Sequence, residues 1–286
     1  MEGEIRRLET IFSLYRNDSE LVRLNREGRL LSPSHELVEL LSLSKRIHRA
    51  TDGAFDPTVQ PLWTHYASLS SREKVRAREA VGSCIGFENV LVQADEIRLL
   101  RQGMALTLNG IAQGFITDRI TALLAANGCK DMVVDIGELT VRGKPPNVMP
   151  VGQAGWPVTL RPSAEHPAAF AKIELSDAAV ASSAKRGTTF DRSAQLSHIL
   201  DPKRGRPADT GLAAVSVVEG NAAVADGLST GALVLGENQL RSVLAKFPAA
   251  SAFVVREDGS SAWVAPSGSA AAFPPDTVKP NDRQGE

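Results

Sequence analysis

"LTLNGIAQGFITDRITALLAANG", residues 106–128, runs from an alternating strand through a glycine straight into an amphipathic helix, expected over about 111–127. Gly110 and Gly114 stand at the mouth of that helix, although Gly costs about 1 kcal/mol against Ala in a helix interior. The cost is usually accepted where something must come close to the backbone. At a helix N-terminus that something is often a phosphate. Two readings are open: a tight strand-to-helix corner, or a turn whose Gly110 carbonyl faces a cation while the next amides face an anion.

On the N-terminal side, Ile5, Leu8, Ile11, Phe12 and Tyr15 recur at helical spacing over residues 2–15. Ser19 caps a short second helix, and Leu37, Leu40, Leu41 and Ile47 line one face of a third. "TDGAFDPTVQPLW" breaks the regularity as a loop. A helix is expected over 71–82, then three β runs, "NVLVQ", "EIRLLR" and "MALTL". On the C-terminal side, strands are expected at "DMVVDI", "LTVRG", "WPVTLRP", "AAVASS", "SHIL" and "GLAAVSVVE". Helices at about 222–235 and 237–247 and a hairpin, "SAFVVRE" with "SAWVAP", close the pattern. Strands in runs and helices in blocks predict an α+β fold, a mixed, largely antiparallel sheet with helices packed around it. One domain is expected over 1–265, with a disordered tail over 266–286.

The 286 residues carry 32 basic and 33 acidic side chains, so no basic surface recommends nucleic acid as a partner. No apolar run reaches the length of a membrane span. The charged start "MEGEIRRLETIF" lacks the core of a signal peptide. As written the chain reads as cytoplasmic; a longer true N-terminus would make it periplasmic or membrane-anchored. Cys84 and Cys129 are too few for a disulfide framework and read as packing residues. "SSAK" at Ser182–Lys185 matches the Ser-x-x-Lys nucleophile pattern, but no SDN or KTG follows, and it reads as chance.

Three further segments carry chemistry. Asp226 and Thr230 in "ADGLST" are four apart, so a helix puts them on one face, and a carboxylate, a hydroxyl and backbone carbonyls form an all-oxygen set suited to Mg²⁺ or Ca²⁺. Alternatively, Asp226 is a helix cap. In "SHILDPKRGRP" His198 lies three before Asp201 at an enforced turn. In "DGAFDPTVQPLW" Phe55 and Trp63 offer flat apolar surface and Asp56 a polar handle; a capped turn with core aromatics is the plainer reading.

In order, "SLYRNDSELVRLN", "GAFDPTVQPLW", "GIAQGFITD", "VDIG", "VASSA", "HILDPKRG" and "ADGLST" resemble the pattern of the ApbE family of FAD:protein FMN transferases, from about residue 9 to 265. The resemblance implies cleavage of the FAD pyrophosphate and transfer of FMN to a threonine hydroxyl of an acceptor flavoprotein, with release of AMP. It implies Mg²⁺ held by the Gly110 carbonyl, Asp226 and Thr230. By the same mapping Tyr15 and Ala54–Phe55–Asp56 hold the ends of FAD, Thr107 and Gln113 contact it, and Ile199 lies beside it. Gly114 would admit the diphosphate to the helix amides. His198, the only histidine expected near the site, is the candidate proton acceptor for the attacking hydroxyl. A flavin-binding relative without transfer and an FAD pyrophosphatase giving FMN and AMP are the alternatives. The chain departs from the pattern at Thr107 (often Asp), at Gln113 (often Lys or Glu) and at "DIGE", one glycine short. It also begins inside the family's first helix, which implies a missing strand with a Met-Gly-Thr-like cofactor contact.

Overall fold

The strand Leu212–Glu219 has every residue buried except its last, so it must be covered on both faces. A computed structural model describes residues 1–68, 81–145, 155–186 and 197–266, and in it this strand, β11, lies inside a six-stranded sheet. The elements, in chain order, are α1 (Glu2–Phe12), α2 (Glu20–Glu27), β1 (Arg29–Leu31), α3 (His35–Ala50), α4 (Gln60–Ser68), β2 (Val90–Val92), β3 (Glu96–Leu99), α5 (Ala112–Ala126), β4 (Met132–Asp135), β5 (Leu139–Arg142), β6 (Trp156–Leu160), β7 (Ala171–Leu175), β8 (Ala178–Ala184), β9 (Leu200–Asp201), β10 (Arg206–Pro207), β11, α6 (Ala222–Leu235), α7 (Glu237–Leu244), β12 (Ser251–Arg256) and β13 (Ser261–Val264). The sheet order is β13-β12-β11-β8-β5-β4, and each of its pairings is antiparallel.

Alternation along β11 divides its side chains between two cores. Val215 and Val217 face the helices, in one cluster with Leu8, Leu37, Ile111 and Leu228. Ala214 and Val218 face the other way, against Leu160, Ala171, Ile173 and Leu175 of the β6–β7 hairpin. The fold is thus α+β: helices on one face of an antiparallel sheet, a β-hairpin on the other. The opening helices form near where expected, although α1 ends at Phe12 and leaves Tyr15 outside it, with Ser19 accepting from the Val22 amide and Ser34 from the Leu37 amide at the N-caps of α2 and α3.

Several expectations are corrected. "MALTL" alternates as a strand should, with Met104, Leu106 and Leu108 buried, but it joins no ladder. The Asn25 side chain bonds both the amide and the carbonyl of Leu106, at 2.7 and 2.8 Å, as a neighbouring strand would. "TDGAFDPTVQPLW" is not loop throughout: a 3₁₀ turn at Pro57–Val59 leads into α4. The short β1 and the β7 segment "AKIEL" were not anticipated, and "SHIL" contributes only β9, paired with β10. Cys84 is half-buried but Cys129 is exposed. The helix expected over 71–82 lies, but for its last two residues, outside the described residues, as does the tail from 267 onward.

Candidate active site

A cavity of about 540 Å³ opens where the mouth of α5, the middle of α6, the end of β8 and the turn after α3 meet. Gly110, Asp226, Thr230, His198, Tyr15, Ala54, Phe55, Asp56, Thr107, Gln113 and Ile199 all line it. Segments more than a hundred residues apart therefore share one space, within the size range of small-molecule sites.

The contact between α5 and α6 sets this geometry. At Gly110 a β-carbon would stand 2.9 Å from Thr230 Oγ1, so the backbone corner rests directly on that hydroxyl. At Gly114 it would stand 2.7 Å from Ala223 Cα, against the α6 backbone. Gly114 is needed for close helix packing, which corrects the expectation that it admits a diphosphate. Its amide donates to Asp226 Oδ2 at 3.2 Å. The amides of Ile111 and Ala112 both donate to the Leu108 carbonyl. The anticipated role of these three amides as an anion cradle is corrected with it, because each already has an acceptor.

Asp226 is buried, and its carboxyl is pushed up to about 7, first by desolvation, with the nearby charge of Asp118 adding to the shift. Glu138, which sequence reasoning passed over, lines the same cavity and is pushed up to about 8 by burial and by the charge of Asp226. Asp118, raised to about 6 by burial, accepts from the Ala222 and Ala223 amides, both at 2.9 Å, and so fixes the start of α6.

Asp56 lines the cavity, yet its Oδ1 is taken by the Thr58 amide at 2.8 Å and hydroxyl at 2.6 Å. Its Oδ2 lies 3.6 Å from His48 Nδ1, and that nitrogen is 3.0 Å from the Phe55 carbonyl. A second histidine thus braces the site, correcting the expectation that His198 is alone there. Burial outweighs these bonds and raises the Asp56 carboxyl above its ordinary value. Tyr15 is 84% exposed at the cavity wall. The side chain of Gln113 lies over Gly137, where a β-carbon would stand 2.8 Å from Gln113 Nε2 and the φ of +111° disfavours any side chain.

The model of the ApbE family matches residues 1–254. The chain belongs to the ApbE family. It is 28% identical over 240 residues to a FAD:protein FMN transferase of Vibrio cholerae, covering 79% of this chain and 70% of that one. It is 26% identical over 277 residues to a FAD:protein FMN transferase of Escherichia coli, covering 90% and 76%. Among solved structures it is similar to the Pseudomonas stutzeri flavinyl transferase ApbE, apo form, with a TM-score of 0.77 and 27% identity over 92% of this chain and 82% of that one.

In this ApbE-family chain the donor set can be tested for a divalent cation. Asp226 is a buried carboxyl whose Oδ2 accepts from a neutral amide, and its charge and that of Glu138 oppose each other. A cation in the cavity would relieve both. Among the described residues no group of three or more His, Cys, Asp or Glu could hold a metal. Neutral oxygens must therefore complete any site, and Thr230 and the Gly110 backbone are in contact. This hard, oxygen-only set fits Mg²⁺.

Ser182 and Ser183 also line the cavity. The sequence offered them only inside the "VASSA" resemblance and the rejected "SSAK" match. Their meaning comes from β8 lying beside β11 and under α6, which a linear reading does not supply.

Proposed function

We propose that this chain transfers FMN from FAD to a threonine hydroxyl of an acceptor flavoprotein, releasing AMP, in a Mg²⁺-dependent reaction. The observation that carries the reading is the meeting of the Gly110 corner, Asp226 and Thr230 in a cavity that His198 also lines. The names of the relatives, FAD:protein FMN transferase, point the same way.

In this reading FAD lies in the cavity with Phe55, Ile199 and Tyr15 against its rings, and Thr107 and Gln113 contacting it. Gly110, through its carbonyl, Asp226 and Thr230 hold the cation. Bound there, Mg²⁺ would offset the charge that builds on the pyrophosphate during transfer. The acceptor hydroxyl oxygen forms a bond to the FMN phosphorus, the bond from that phosphorus to the bridging oxygen breaks, and AMP departs with the electron pair. The neutral ring of His198 takes the hydroxyl proton.

Incubation with FAD, Mg²⁺ and a peptide containing an acceptor threonine tests this. Flavin fluorescence that stays with the denatured peptide, with equimolar AMP, is the expected result, and EDTA should abolish it. AMP without labelled peptide would mean hydrolysis instead, and FAD retained intact would mean binding without reaction. Asp226→Ala and His198→Ala should each lose transfer while remaining folded. Parental rates in His198→Ala would remove the assigned proton acceptor.

A further inference from the structure

Behind Thr230 lies a chain of hydroxyls whose direction can be worked out. Ser183 Oγ on β8 is 3.2 Å from Thr230 Oγ1 and 2.8 Å from Ser229 Oγ, and Ser229 Oγ is 3.0 Å from the Asp226 main-chain carbonyl. Each hydroxyl has one proton to donate, and a carbonyl has none. The last contact is therefore a hydrogen bond only if Ser229 is the donor. With that proton spent, the Ser183–Ser229 bond requires Ser183 to donate. Ser183 in turn has no proton left for Thr230, so Thr230 must donate to Ser183. Ser229 is fully buried, and Ser183, on the cavity wall, can meet water only from that side.

We infer that Ser183 and Ser229 are positioning residues that fix the rotation of the Thr230 hydroxyl, drawing its proton back into the protein and leaving its lone pairs toward the cavity. Thr230 is then pre-set as an acceptor-only oxygen, suited to a cation and unsuited to donate to a phosphate oxygen. The inference rests on the metal reading of the preceding section and adds to it the groups that orient one of the proposed ligands. The sheet makes this possible: Ser183 pairs in register with Val215 of β11, which holds β8 under α6. Outer groups that orient a ligand typically alter metal affinity by about 10–100-fold.

The test is Mn²⁺ binding to the chelator-stripped protein, read from the electron-spin resonance of free Mn²⁺. Wild type should bind one ion. Ser183→Ala should bind about tenfold or more weakly, and Ser183→Thr, which keeps a hydroxyl, should recover most of the affinity. The thermal midpoint in EDTA serves as the control for folding. Should Ser183→Ala fail that control, Ser229→Ala breaks the same chain one link further on. It frees the Ser183 proton to turn toward Thr230, and it should weaken Mn²⁺ binding likewise. A folded Ser183→Ala or Ser229→Ala protein with wild-type affinity overturns the inference. Absence of binding by wild type itself overturns the metal reading on which the inference depends, a result separable from the first. In the transfer assay the Ser183→Ala defect should appear as a raised Mg²⁺ requirement, with the rate at saturating Mg²⁺ largely restored.

Discussion

At Asp226 the requirements of folding and of ligand binding oppose each other. Its carboxyl is buried beside Glu138 and accepts from the Gly114 amide, and burial pushes its proton affinity up. Asp226→Asn keeps an oxygen for that amide and removes the charge. In EDTA at pH 8 the variant should therefore be more stable than wild type, on the order of 2 kcal/mol for a group this deeply buried. Mg²⁺ should no longer stabilise it, and transfer should fall about a hundredfold or more. Denaturant melts with and without Mg²⁺ check this, and a less stable variant in EDTA would mean that the charge is not the dominant cost. At this scale most of the candidate residues came from the resemblance to the family and the rest from side-chain chemistry. All eleven candidate residues line one cavity. The sequence was uninformative for Glu138, Ser183 and His48, whose importance comes from neighbours 88, 47 and 8 positions away in the chain.

Between elements, the α5–α6 contact carries the site, and its two glycines serve different ends. A β-carbon at Gly114 would run into the Ala222–Ala223 backbone, which cannot rotate away. Gly114→Ala should separate the helices and cost about 3 kcal/mol or more, together with the Gly114–Asp226 bond. At Gly110 the obstacle is the Thr230 side chain and not backbone, with Oγ1 at 2.9 Å and Cγ2 at 3.2 Å from a β-carbon there. Gly110→Ala should thus cost less, about 1–2 kcal/mol in stability, but abolish metal-stimulated transfer, because the displaced hydroxyl is a proposed ligand. Equal destabilisation of the two variants in urea would contradict this division. The helix mouth was legible in sequence as a place needing close approach; what approaches at Gly114, another helix and not a phosphate, was not. "MALTL" failed for a related reason. Its period-2 burial is real, but whether an alternating segment finds a ladder depends on what lies beside it, here the side-chain amide of Asn25 and not another strand.

For the whole molecule, strand identity was more legible than strand order. Alternation marks β8 and β11, but nothing local places β8 between β5 and β11, or lays β6–β7 across the far face. That arrangement brings the end of β8 to the cavity, and the acids buried there and elsewhere in the fold give it a characteristic pH response. Asp56, Asp118, Glu138, Glu219 and Asp226 all have carboxyls raised by burial. A carboxyl whose folded value exceeds its unfolded value binds more protons folded than unfolded between those values. Stability is then highest below the unfolded value, near 4, and falls as pH rises through the folded values, here about 6 for Asp118 and about 8 for Glu138. The oppositely shifted acids, Glu4, Asp18, Glu36, Asp52, Glu96 and Asp258, lose their contribution only below the ordinary carboxylate range. The buried set therefore decides the sign between pH 5.5 and 8.5. In EDTA the melting temperature should drop across that window by on the order of 5 °C. Saturating Mg²⁺ should flatten the decline, since a cation beside Asp226 favours its ionised form and binds more tightly as pH rises. A chelated melting temperature that climbs from pH 5.5 to 8.5 would mean that these acids are not held neutral by burial, and would remove the physical reason for a cation in the cavity.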